Sequence, residues 1–421
     1  MPSYDRERLM NAPNLARPEP SSPETIRPAG TPVEVLRVFL KLGLTSFGGP
    51  VAHLGYFRNE LVVKRKWLDE AAYADLVALC QFLPGPASSQ VGYALGLLRA
   101  GPIGALAAWC AFTLPSALLL VLFASGVSAF SSPLGAGLIH GLKLVAVAVV
   151  AQAVWGMARS LTPDRPRAGI ALAAILVVVF AAGSVGQIAA IAMGAIAGLW
   201  LCRDGKPGQG FHGAFRVSKS AGIVALVIFF LLLAGLPLAT MATGSHSVGL
   251  FDAFFRAGAL VFGGGHVVLP LLETAVVKPG WITPDGFLAG YGVAQAVPGP
   301  LFTFAAYLGA AMQPQPNGLI GAAICLVAIF LPGLLLVTSA LPFWSAFRAR
   351  PAAQAAMRGA NASVVGILGA ALYSPVWTSA VVNPRDFAVA AVAFALLTVW
   401  QVSPWIVVVL TAASGVGLAL L

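Results

Sequence analysis

The chain has 421 residues, 58% of them hydrophobic and only 10% charged, with a mean hydropathy of +0.87. Soluble domains carry about 25% charged residues, so soluble enzymes and nucleic-acid binders are excluded, and a polytopic protein whose surroundings are the lipid bilayer is expected. The formal charge of +10 then reads as membrane topology, because cytoplasmic loops collect Lys and Arg.

Residues 1–32 combine prolines and mixed charges without the apolar core of a cleavable signal, which predicts a disordered cytoplasmic tail. Beyond them, Ile170 to Trp200, Leu226 to Ala242, Leu319 to Thr338 and Ile406 to Leu421 hold no ionisable residue, and about 20 apolar residues cross a bilayer. Cys80, Cys110, Cys202 and Cys325 are far apart with no CxxC spacing. Neither a disulfide framework nor a zinc site is indicated, and no metal or cofactor is expected.

The membrane part repeats itself at an offset of about 215 residues. Lys41, Gly43 and Phe47-Gly48-Gly49 return as Arg256, Gly258 and Phe262-Gly263-Gly264. Trp67 returns as Trp281, Gln81 with Pro84-Gly85-Pro86 as Gln295 with Pro298-Gly299-Pro300, Tyr93 as Tyr307, and Pro115 as Pro332. Two membrane repeats, 33–203 and 247–421, are therefore expected, with a basic loop and one linking helix in 204–246.

Lys and Arg gather in 1–37, 58–66, 159–167, 203–219 and 348–358, whereas 126–136, 184–187 and 244–250 have none. Placing every basic cluster in the cytoplasm makes the segment between Arg37 and Arg58 a re-entrant hairpin turning at Phe47-Gly48-Gly49-Pro50. Pro84-Gly85-Pro86 likewise divides 71–99 into two pieces too short to span. Full crossings are expected near 103–125, 137–158, 168–184 and 188–202. The linking helix then inverts the second repeat, whose hairpins at 252–272 and 286–313 enter from outside. The fold class is thus all-α, with two inverted-topology repeats and broken helices; the alternative has both hairpins of each half as full crossings.

The run Gly43-Leu44-Thr45-Ser46-Phe47-Gly48-Gly49-Pro50-Val51-Ala52-His53-Leu54-Gly55, continued by Trp67-Leu68-Asp69, Gln81 to Pro86, Ser88-Ser89-Gln90 and Gly92-Tyr93, resembles the chromate ion transporter family in its long, two-domain form. The resemblance covers about residues 33–421. It implies efflux of chromate from the bacterial cytoplasm across the inner membrane, dependence on proton-motive force, and sulfate as a competing mimic. The second half departs from the pattern, with Gly265 in place of Pro50 and Leu301-Phe302-Thr303 in place of Ala87-Ser88-Ser89.

Broken backbone at membrane depth is tolerated where it lines a site, and helix starts offer unpaired N–H groups and partial positive charge suited to an oxyanion. The second proline of each Pro-Gly-Pro is expected in the first turn of the following half-helix. The expected substrate-binding set is Lys41, Gly48, Gly49, His53, Gln81, Gly85, Ser88, Ser89, Gln90, Arg256, Gly263, Gly264, His266, Gln295, Gly299 and Thr303. Lys41 and Arg256 would neutralise the dianion, or else snorkel to the interface. On that reading Lys41→Ala and Arg256→Ala abolish transport without affecting insertion. His53 and His266 would act as donors or proton carriers, or pack with a hydrogen bond. Gln81 and Gln295 would cap helix ends or touch substrate. Asp75 and Glu273 read as proton sites or solvated end charges, and Tyr93 and Tyr307 as substrate-orienting or packing residues. Glycines at these breaks serve packing as readily as ligand contact.

A dianion moves outward through an inside-negative 100 mV with a gain of about 4.6 kcal/mol, which favours export. A sulfate or other oxyanion permease would use the same donors. A membrane-embedded transferase would require paired carboxylates in an apolar segment, and none occurs. No catalytic residue is assigned. A homodimer is compatible with the sequence, which specifies no oligomeric state.

Overall fold

The computed structural model describes residues 30–47, 49–126, 133–181, 184–203, 217–262, 265–344 and 350–420. Among these residues every regular element is helical. Among the described residues five helices are long and apolar enough by length and composition to cross a membrane, and the protein is a multi-pass membrane protein.

The first half comprises α1 (Pro32–Thr45), α2 (Gly49–Phe57), α3 (Glu70–Phe82), α4 (Ala87–Gly126), α5 (Pro133–Leu161), α6 (Arg165–Phe180) and α7 (Ser184–Leu201). The starts are written in the sequence. Thr31 accepts from the Glu34 amide ahead of Pro32, Asp69 accepts from the Ala72 amide, and Asp164 caps α6, each satisfying a donor that a helix start leaves orphaned. Helix α4 is interrupted at Ala100 and Gly101, where Gly101 takes φ +66°. A Cβ on Gly96 would meet the Gly104 carbonyl, so the arms 87–99 and 102–126 fold back on each other and form two limbs.

Linking helix α8 (Lys219–Thr243), capped by Ser218, leads into the second half. There α9 (His246–Ala259), α10 (Val268–Leu272), α11 (Pro284–Ala294), α12 (Phe304–Ala311), α13 (Gly318–Ala340), α14 (Pro351–Ala371), α15 (Pro384–Thr398) and α16 (Pro404–Ala419) follow the order of the first half. Matching contacts recur. A Cβ on Gly43 would lie 2.7 Å from the Ala111 carbonyl oxygen, and one on Gly258 would meet the Ile329 carbonyl. The amide of Trp67 donates to Leu61 at 2.8 Å and that of Trp281 to Val276 at 2.9 Å.

The halves exchange their last two helices. Helices α6 and α7 pack on α14 of the second half, while α15 and α16 pack on α5 of the first. Small residues permit both approaches. Gly137 and Gly141 face Gly415 and Thr411, and Gly359 faces Gly194 and Gly198. The broken segments flank two aromatic cores. Phe39, Phe57, Leu95 and Phe112 build one core; Phe254, Phe287, Tyr291, Phe304 and Phe330 build the other.

Candidate functional site: crossed helix breaks

Ahead of all four expected interruptions a helix ends at described residues: α1 at Thr45, α3 at Phe82, α9 at Ala259 and α11 at Ala294. Their joining is crossed between the halves. The Gly85 amide donates to the Val261 carbonyl at 2.7 Å, and the Gly299 amide donates to the Ser46 carbonyl at 2.9 Å. Each Pro-Gly-Pro of one half is thus tied to the residue preceding the Phe-Gly-Gly of the other.

Glycine is required at these two positions. Gly85 and Gly299 adopt φ +120° and +99°, which side chains resist. A Cβ on Gly85 would lie 2.9 Å from the Gly333 Cα, and one on Gly299 would lie 2.8 Å from the Ser116 Oγ. The second prolines stand one place earlier than expected. Pro86 precedes α4 and its carbonyl accepts from the Gln90 amide at 2.9 Å, and Pro300 caps the short turn Leu301–Thr303. A proline has no N–H to offer, so in the flanking position it leaves the amides after it as the orphan donors.

Beside three of these breaks lies a cavity of about 50 Å³, bordered by Gly49, Gln152, His266, Gln295, Gly299 and Pro404. A water requires about 10–15 Å³ by the same measure, so the space holds a few waters or one small ion. His266 Nδ1 lies 2.7 Å from the Tyr291 hydroxyl. Gln152 reaches the cavity from α5 and donates its Nε2 to the Leu397 carbonyl at 3.2 Å.

The expected residues divide into three groups. Gly49, His266, Gln295 and Gly299 meet at the cavity. Ser88, Ser89, Gln90, His53 and Gly85 are buried around the first-half break. There His53 Nδ1 is 3.4 Å from Ser88 Oγ, and Gln90 donates to the Pro84 and Gly333 carbonyls at 2.9 and 3.0 Å. Thr303 turns its hydroxyl back to the Pro300 carbonyl at 2.7 Å. The third group lies elsewhere. Gln81 is exposed. Lys41, 57% exposed, pairs with Glu60 at 3.1 Å beside Lys64 and Arg65, and Arg256 pairs with Asp252. Neither cation borders the cavity. Gly48, Gly263 and Gly264 lie outside the described residues.

Lys143, within the expected crossing 137–158, binds Asp285 at 2.7 Å and ties α5 to α11. Tyr307 is buried and donates to the Gly286 carbonyl at 2.8 Å, the packing alternative for this residue. Gln152 and Tyr291 escaped the sequence reading because neither belongs to a repeated motif. Gln152 nonetheless carries a signal, as a lone amide within the apolar run 144–158.

An all-helical membrane protein whose broken helices meet at a small polar cavity has the architecture of a membrane transporter. The sequence profile described as Chromate transporter matches twice, over residues 33–199 and 248–416, and the chain belongs to that family. It is 28% identical to a chromate transport protein of Pseudomonas aeruginosa over 94% of each chain. It is 27% identical to one of Cupriavidus metallidurans over 82% of each chain. A probable chromate transport protein of Synechococcus elongatus is 27% identical over 82% of this chain and 85% of its own. No solved structure matches.

Proposed function

We propose that this protein exports chromate from the cytoplasm across the bacterial inner membrane, binding the anion at the cavity bordered by Gly49, His266, Gln295 and Gly299. The observation that carries the reading is the crossed pair of backbone bonds, Gly85 to Val261 and Gly299 to Ser46. Each bond joins a break of one half to a break of the other, so relative motion of the halves must act on the cavity between them. The orphan amides that follow the breaks and the polar wall of His266, Gln295 and Gln152 supply donors for a tetrahedral oxyanion.

In this reading the halves, 33–203 and 247–421, are inverted repeats related through α8, and the Phe-Gly-Gly and Pro-Gly-Pro segments are re-entrant. The matched element order and the reciprocal packing of α7 on α14 and α16 on α5 support it. The amino terminus is cytoplasmic, in keeping with the basic clusters. Lys41 and Arg256, held by Glu60 and Asp252, draw the anion toward the cavity and do not ligate it.

The test is chromate uptake into inside-out vesicles bearing the protein, with an imposed potential, a proton gradient or neither, and with sulfate as competitor. Energised accumulation that sulfate inhibits is the expected result. Sulfate flux without chromate flux would reassign the substrate and retain the anion site; loss of both would remove the oxyanion reading.

A further inference from the structure

Tyr291 is fully buried, and among the described residues its hydroxyl has one hydrogen-bond partner, His266 Nδ1 at 2.7 Å. A neutral imidazole carries its proton on one nitrogen only. If that proton were on Nδ1, it would point at the phenol oxygen, and the phenol O–H would be left buried with no acceptor. An unmet buried donor disfavours that arrangement by about ten-fold or more. The satisfied arrangement has the Tyr291 O–H donating to a bare Nδ1, which places the imidazole proton on Nε2, the ring nitrogen left for a ligand on this side chain of the cavity wall.

We propose that Tyr291 is a positioning residue that fixes His266 as an Nε2–H donor to the transported oxyanion, an inference that rests on the oxyanion reading above. A fully ionised tetrahedral anion only accepts hydrogen bonds; a lone pair on Nε2 would repel it, whereas an N–H binds it. The device belongs to the second half alone. The position matching Tyr291 at the repeat offset is Val77, and among the described residues His53 Nε2 is buried without a hydrogen-bond partner.

Two measurements on the full-length protein test this. In heteronuclear NMR of protein with isotope-labelled histidine, the His266 signal, assigned by its loss in His266→Gln, is expected to show an unprotonated Nδ1 in the parent and a tautomer mixture in Tyr291→Phe. A protonated Nδ1 in the parent overturns the proposal whatever the substrate proves to be. In vesicle transport, Tyr291→Phe is expected to raise the chromate KM by about ten-fold with little change in kcat. His266→Gln keeps an N–H donor without a tautomer choice, and adding Tyr291→Phe to it is expected to change KM by less than about two-fold. Equal losses in both backgrounds would make Tyr291 a packing residue and overturn the proposal. A parent that moves no oxyanion defeats the functional reading and, with it, the donor role.

Discussion

The two halves present a similar order of helices and differ in what their breaks bring together. The second-half breaks contribute His266, Gln295 and Gly299 to the cavity, and the first half contributes Gly49 and Gln152. Among the described residues, Ser46 Oγ, His53 Nε2, Ser89 Oγ and Gln90 Oε1 are buried without hydrogen-bond partners around the first-half breaks, as is Gln295 Nε2 at the second-half break. A buried polar group left unmet costs about 1–3 kcal/mol. The repeat therefore fixes how the chain turns, while the side chains decide which turn faces a ligand.

The sharpest way to break this comparison is to attack what the halves share. Gly85→Val and Gly299→Val each place a side chain at positive φ against close neighbours, and both are expected to reduce chromate flux by about 100-fold, the order of one strained position plus a clash. Flux is read against the amount of protein in the membrane. Near-normal transport by either variant would show that the crossed bonds are dispensable.

Side chains that differ between halves should give unequal results. His266→Ala removes a cavity donor and is expected to raise the chromate KM by about ten-fold or more, as for a hydrogen bond to a charged group. His53→Ala is expected to leave KM within about two-fold and to act on stability, since it empties a buried site against Phe112. Transport kinetics beside thermal unfolding in detergent separate the two. Equal KM effects would mean that both breaks bind the anion in turn.

A matched pair of lesions tests the exchange of helices. Gly141→Val, against Thr411, and Gly359→Val, against Gly194, crowd equivalent helix contacts, and each is expected to destabilise by about 1–3 kcal/mol. Similar losses support the two-fold relation; a loss confined to one side would dissolve it.

These lesions also mark what the sequence could reveal. The breaks at Gly49, Gly85 and Gly299 were legible because glycine and proline have backbone meanings that hold in any context. The repeat was legible from ordered matches. The packing of α7 on α14 was not, since apolar helices show lipid and protein the same kind of surface, and Gly194 or Gly198 could face any small residue. Lys143 announced itself as a charge in apolar surroundings, but its partner Asp285 lies 142 positions away. His53 and His266 looked alike from their places after the two glycine turns; their different fates follow from Ser88 and Tyr291, residues contributed by other helices.

The smallest effects concern the ion pairs flanking the breaks. Lys41 has three charged neighbours, with Glu60 at their centre, whereas Arg256 depends on Asp252 in its own helix. Lys41→Ala is expected to raise KM by about three-fold at low ionic strength and not at high, as for an exposed steering charge. Complete loss of transport at any salt concentration would instead restore it as a direct counter-charge. Glu60 reports on the same cluster. Burial works against its charge, but hydrogen bonds from Lys41 and Arg65 outweigh this and hold its carboxyl below the usual glutamate range. A depressed folded-state value means that its stabilisation is fully present above the unfolded value of about 4.3 and is lost as pH falls through the lower folded one. The stability gap between the parent and Glu60→Gln should therefore be constant from neutrality down to about pH 5 and close below it. Because the position aligned with Glu60 holds no carboxylate, only Thr274 and Ala275, this acid sensitivity belongs to the first half.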